Sequence, residues 1–318
     1  MHVIDHVEHL HGLPAHTFPQ FTRSKDMPAA DAVAWRIELG DMDGEEGSDD
    51  YWERFLSTMP AEDVRALIIG YPWYTEWGMG SMTGTLAEAS SRLVGLEALF
   101  LGDIVAEQSE LSWMEQSDVT PVLTAYPRLR ELAVRGSAGL EFTAVRHEAL
   151  RTLRFECGGL PAGVVRGVLD SDLPALEHLE LWLGDEYYGC DTTLEDLAPL
   201  LEGARFPALR HLGLQNSQFQ DEIAAAVAHA PVVARLESLS LSLGTLGDAG
   251  AEALLNGQPL THLRSLDLHH HFLSDAMTAR IRETLEPAGV RVDLSGREEE
   301  DEYDDDDEGD GRYIAAAE

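Results

Sequence analysis

The sequence is poor in cysteine, in positive charge and in long apolar runs. Its two cysteines, Cys157 and Cys190, cannot build the disulfide framework of a small secreted scaffold. Cys157 continues an alternating pattern, Leu153-x-Phe155-x-Cys157, so it is expected as a buried free thiol in a reducing, cytoplasmic compartment. No stretch approaches the roughly eighteen apolar residues of a membrane helix. The opening residues, MHVIDHVEHLHGLP, lack the cationic start and apolar run of a signal peptide. Lysine occurs once, at Lys25, and 22 basic residues face 58 acidic ones, for a formal charge of −36. Eleven of the acids fall between Glu298 and Asp310, and without them the charge is still −25. A field of this sign repels nucleic acid and anionic lipid and favours basic partners, besides conferring solubility.

Catalytic grammar is also missing. There is no Gly-x-Ser-x-Gly elbow, no His-Glu-x-x-His and no Cys-x-x-Cys. Gly78 to Gly84 is glycine-rich but has no basic residue to hold a phosphate, so it is expected as a loop. These absences point away from an enzyme and away from a bound cofactor.

What the sequence does have is a repeat. Ala234 to Leu255, ARLESLSLSLGTLGDAGAEALL, opens with Leu236-x-x-Leu239-x-Leu241, a strand with alternate apolar positions. After Gly244 the apolar spacing becomes helical. The same leader recurs at Val64, Leu96, Leu129, Leu150, Leu176, Leu209, Leu236 and Leu263, with apolar residues at +3 and +5 each time, from Leu67/Ile69 to Leu266/Leu268. The mean period is about 28 residues, the range of one strand plus one helix per unit. Helices are expected over Tyr51 to Met59, Leu194 to Glu202, Asp221 to His229, Ala249 to Asn256 and Ser274 to Leu285. The short interval around Gly136 to Val145 leaves room only for a turn or a single helical turn.

The wording LGDAGAEALL resembles the leucine-rich repeats of the ribonuclease-inhibitor type, and the chain is similar to actinobacterial leucine-rich-repeat proteins. The excess of arginine over lysine accompanies GC-rich bacterial genomes. The resemblance covers Ala32 to Gly296 and implies an α/β solenoid, with parallel strands on a concave face and helices on the convex one. Residues 1–31 are then a capping segment, 32–296 the solenoid and 297–318 an acidic, disordered tail. Arg312-Tyr313-Ile314 near the end either docks or stays free. Asn216 is the clearest candidate for a polar ladder residue after a strand.

Stacked repeats turn the residues between the leucines into columns on the concave face. Arg154, Glu156, His178, Glu180, Trp182, His211 and Asp267 stand in those columns, and they are the expected site for a protein or peptide partner. Arg135 is expected beside Glu156. The aromatic cluster Tyr71, Trp73, Tyr74 and Trp77, with Tyr187 and Tyr188 after a later strand, supplies further anchors of the type that dominates binding hot spots. Two other functions remain open. His178 beside His211, or the N-terminal histidines His2, His6, His9, His11 and His16, would serve a metal-binding accessory protein, although neither group completes a ligand set by itself. An acidic mimic that occupies a nucleic-acid-binding protein is the other.

Overall fold

The computed structural model describes residues 4–19, 27–38, 47–71, 79–300 and 311–317. Trp73, Tyr74, Trp77, His2 and residues 301–310 of the acidic run lie outside them. The described residues fall into two compact units. The first runs to Glu156 and adds Asp170–Pro174; the second holds Cys157–Leu169 and Ala175–Ala317. Both are α/β, with strands in sequential order. The expected boundaries at residues 31 and 296 do not coincide with this division.

In the first unit, β1 (His9–Leu10) and β2 (Leu13–Thr17) form an antiparallel hairpin. His11 and Gly12 turn it at φ 54° and 73°, the left-handed pair that suits the twist of a two-residue hairpin. From β2 onward the pairing is parallel, through β3 (Ala34–Ile37), β4 (Ala66–Gly70), β5 (Ala98–Asp103), β6 (Glu131–Arg135) and β7 (Thr152–Glu156). Three helices join them: α1 (Ser48–Thr58), α2 (Met79–Glu88) and α3 (Thr120–Ala125). In α1, Tyr51, Trp52, Phe55 and Leu56 recur at helical spacing and are buried, while Asp49 and Asp50 complement its N-terminal dipole. Residues 79–84, expected as loop, belong to α2. Their glycines lower helix propensity but do not forbid a helix whose later residues Met82 and Leu86 are buried. No helix separates β6 from β7, as the short interval predicts.

The second unit repeats one parallel strand and one helix. After α4 (Ala162–Asp170) come β8 (His178–Gly184), α5 (Leu194–Leu201), β9 (His211–Ser217), α6 (Gln220–Val227), β10 (Ser238–Ser240), α7 (Asp248–Asn256), β11 (Ser265–Asp267), α8 (Asp275–Leu285) and β12 (Arg291–Asp293). The four helices expected here all appear, with ends shifted by at most two residues, whereas α1 begins three residues before its expected start. Thr193 closes a capping box with Asp196 at the start of α5, which satisfies two backbone donors that a helix otherwise leaves orphaned. One sheet face carries the leucines: Leu179, Leu181, Leu212, Leu214, Leu239, Leu241, Leu266 and Leu268 are all buried against the apolar faces of the helices. Where α6 meets α7 the contact leaves no room for a side chain. A Cβ on Gly250 would stand 2.4 Å from the Asp221 carboxylate.

The strand ends of this unit share one device. Asn216, Leu243 and His270, spaced 27 apart, all sit in the left-handed region at φ 52°, 66° and 53°. Across this row runs the C-terminal segment 311–317. The Ala315 N–H donates to the Leu243 carbonyl at 2.8 Å. The Asn216 amide accepts from the Ala316 N–H at 3.0 Å and donates to the Ala316 carbonyl at 2.5 Å. Arg312 reaches the Asp221 carboxylate at 2.9 Å and the Thr245 carbonyl at 2.8 Å. The segment is therefore docked, and Asn216 is a ladder residue for the chain's own terminus. Cys157 and Cys190 are buried free thiols, and burial raises the pKa of Cys190. Among the described residues, no helix is long and apolar enough to cross a membrane.

Candidate functional site

The two units use the sheet face opposite the helices differently. In the first unit this face presents Ala34, Ala66, Ala98, Ile68, Phe100 and Ala133, all buried beneath Leu10, with Val7, Leu13 and Ala15 packed around them. The row of alanines lets the N-terminal hairpin approach the sheet closely. Charge closes the margin. Asp103, fully buried, accepts from the Arg36 guanidinium at 2.7 Å and the Val7 N–H at 2.9 Å, and meets His6 at 3.2 Å. Burial works against the ionised carboxyl, but His6, Arg36, Val7 and Arg135 together hold the Asp103 pKa below its ordinary value. The hydrogen bond to Asp103 raises that of His6. Arg135 donates to Glu156 at 2.7 Å and to the carbonyls of Asp5 and Ile104 at 3.1 and 3.0 Å. His11 lies 3.4 Å from Glu97 and 3.3 Å from Glu131. His6 and His11 are thus ion-pair partners that fasten the N-terminal segment.

Of the seven residues expected to receive a partner, Arg154 and Glu156 sit on this first unit. Glu156 is buried and engaged by Arg135 at 2.7 Å and by Arg154 at 3.0 Å. The other five lie on the second unit, in the register read from the sequence: His178 beside His211 beside Ser238 beside Ser265, and Glu180 beside Gly213 beside Ser240 beside Asp267. Trp182, expected as a projecting anchor, is only 9% exposed. Tyr71 is half-buried.

The polar side chains of the second unit form two linked groups. Glu180 lies between two imidazoles, its Oε1 3.0 Å from His178 Nε2 and 3.2 Å from His211 Nε2. The two rings stack with centroids 3.9 Å apart and planes 12° from parallel. Gly213 makes this possible. A Cβ there would come 2.9 Å from Glu180 Cγ, so the glycine leaves room for the carboxylate arm. Ser238 Oγ holds the other side of His211 at Nδ1, 2.7 Å away. Further along the sheet, Gln215 donates to Ser242 at 2.9 Å, Ser242 meets Ser240 at 2.8 Å, and Ser240 donates to Asp267 at 3.0 Å. Asp267 also pairs with His269 at 2.8 Å. Burial opposes charge on Asp267, but His269 and the Ser240 hydroxyl keep its pKa low; the same bond raises that of His269. His178, Glu180 and His211 offer three donor atoms within 4.8 Å of one another, and Asp267, His269 and Asp293 offer a second such set.

Sequence reasoning missed several of these roles. The columns present Glu180 as a partner contact, whereas it links two histidines, and they assign no role to Gly213 or Ser238. Among the described residues, the strongly exposed aromatics are Tyr187 at 85%, in the turn just after β8, and Trp113 at 73%. Trp113 lies in the segment between β5 and α3, which carries no repeat signal.

Fold and site together define an α/β protein of repeated strand–helix units with an ionisable, partly exposed sheet face. No family model and no curated protein matches the sequence. Among solved structures it is similar to a Bacteroides fragilis protein determined by the Northeast Structural Genomics Consortium. The two share 32% identity with a TM-score of 0.71, over 75% of this chain and 68% of that one. The chain belongs to the same family as that protein.

Proposed function

We propose that this chain is a leucine-rich-repeat protein that catalyses no reaction and binds a protein or peptide, basic in character, on the sheet face of its second unit. The observation that carries the reading is what occupies the corresponding face of the first unit. There the chain's own N-terminal segment lies on the sheet, held by apolar contacts and ion pairs. Such a face is built to take a length of polypeptide. The second unit presents imidazole, carboxylate and hydroxyl groups at the same strand positions, partly exposed. They stand on rigid strands, so ordering them on binding costs little entropy. Tyr187 at the margin is the kind of aromatic that anchors an interface, and the net charge of −36 attracts a basic ligand.

The test is to isolate the ligand retained by the full-length protein and measure its affinity for variants. Tyr187→Ala combined with Ser265→Arg removes the aromatic and places a like charge before a basic partner. Affinity should fall by at least about 30-fold, the loss of roughly 2 kcal/mol typical of an interface centre. Glu252→Ala, on exposed helix α7, should bind as the wild type does. Full-strength binding by the folded double variant would overturn the assignment. Retention of a nucleic-acid-binding protein, lost on deletion of Glu298 to Asp310, would point instead to the acidic-mimic reading.

A further inference from the structure

We propose that His178, Glu180 and His211 form a binding site for a divalent transition metal of the zinc class. The reading stands on geometry and does not rest on the partner-binding proposal. Zinc bonds to imidazole nitrogen and carboxylate oxygen are about 2.0–2.2 Å long. Tetrahedral or octahedral angles therefore set neighbouring ligand atoms about 3.0–3.5 Å apart. The two Nε2 atoms stand 3.0 and 3.2 Å from the same Glu180 oxygen, so both imidazole–carboxylate edges of a first shell already have the required length.

Three further features fit a metal better than a plain ion pair. His211 Nε2 is buried and makes no hydrogen bond. It lies within ion-pair distance of Glu180, yet the alignment is wrong for a proton between them. The other nitrogen of the same ring is held by Ser238 Oγ at 2.7 Å. With that nitrogen carrying the proton, Nε2 keeps its lone pair for a metal, and the hydroxyl on the far side of the ring is the outer-shell partner that orients metal-bound histidines. Finally, the ligands come from adjacent paired strands, β8 and β9, a rigid base whose close approach depends on Gly213. Two imidazoles and one carboxylate select zinc, nickel, copper or iron(II) over calcium and magnesium, which prefer oxygen donors. Binding requires the stacked rings to swing modestly apart so that their lone pairs converge. Three protein ligands leave a coordination position for water or for a donor from a ligand.

The experiment uses the full-length protein without an affinity tag and zinc chloride alone, read by calorimetry and by competition with a chromophoric chelator. One equivalent should bind with micromolar or tighter affinity. Cobalt(II) should give the visible absorption of a nitrogen- and oxygen-ligated tetrahedral site. His178→Ala with His211→Ala should weaken zinc at least 100-fold, and Ser238→Ala about tenfold through the outer shell. His6→Ala with His11→Ala, on the N-terminal segment, should leave the affinity unchanged. Should the His178/His211 variant fold poorly by circular dichroism, Glu180→Gln serves in its place, because it keeps side-chain volume and removes only the anionic donor. Zinc affinity weaker than about 100 μM for the wild type, or unchanged affinity in both His178→Ala/His211→Ala and Glu180→Gln, overturns the proposal.

Discussion

The same strand positions are closed in the first unit and open in the second, and the residues explain the difference. Where the column reads Ala34, Ala66, Ala98 with Ile68 and Phe100, the face is apolar and shallow, and the N-terminal hairpin covers it. Where it reads His178, Glu180, His211, Ser238 and Asp267, water and hydrogen bonds are adequate partners, and the side chains stay partly exposed. The second unit uses its own terminus elsewhere, along the row of left-handed residues at the strand ends. One repeat pattern thus supports two outcomes, set by the residues that alternate with the leucines. An apolar face must be covered, and a polar one is free to serve.

The largest expected effect breaks the closed face. Asp103→Ala leaves the half-buried Arg36 and the buried Arg135 without their shared carboxylate, and losing one member of a buried charge network costs about 3–5 kcal/mol. Urea unfolding measures it, and a loss below about 1 kcal/mol would show that the network is not what holds the hairpin down. Next, Leu10→Ala should cost about 2–5 kcal/mol as a buried leucine truncated over well-packed alanines. It should also increase binding of a hydrophobic dye as the N-terminal segment lifts.

In the second unit, Asn216→Gly keeps the left-handed backbone but removes the amide that pairs with Ala316 and Cys157. The expected loss is about 1–3 kcal/mol, with faster proteolysis near residue 311 and no change at the N-terminal hairpin. Cleavage at both ends would contradict the separate roles assigned to the two termini.

The smallest effect concerns pH. Asp267 is lowered, so its contribution is present above about pH 4 and disappears as pH falls through its lowered value. His269 is raised, so its contribution is full below about pH 6.5 and disappears as pH rises through its raised value. The pair therefore stabilises most between about pH 4 and 6.5, by less than about 1 kcal/mol because His269 is partly exposed. Asp267→Asn should lower the melting temperature most in that window. A nuclear magnetic resonance titration should find His269 shifted back toward its ordinary value. A difference that grows above pH 8 would run against the sign.

How much was legible follows from the range of each interaction. The sequence by itself determined the repeated parallel strands, helices α1 and α5 to α8, and the register, though not α2, because alternation at period two and helical spacing are local. Leu179, Leu212, Leu239 and Leu266 can bury together only in that alignment. The side-by-side placement of His178 and His211 follows from the same register. Only the tertiary structure decided that Val7 and Leu10 lie over the first unit, that Ala316 pairs with Asn216, and that Glu180 reaches His211 across Gly213. These contacts join residues up to 100 or more positions apart, and no periodicity announces them. Each depends on which side chain is small enough to let another segment approach, and that is fixed by packing in three dimensions.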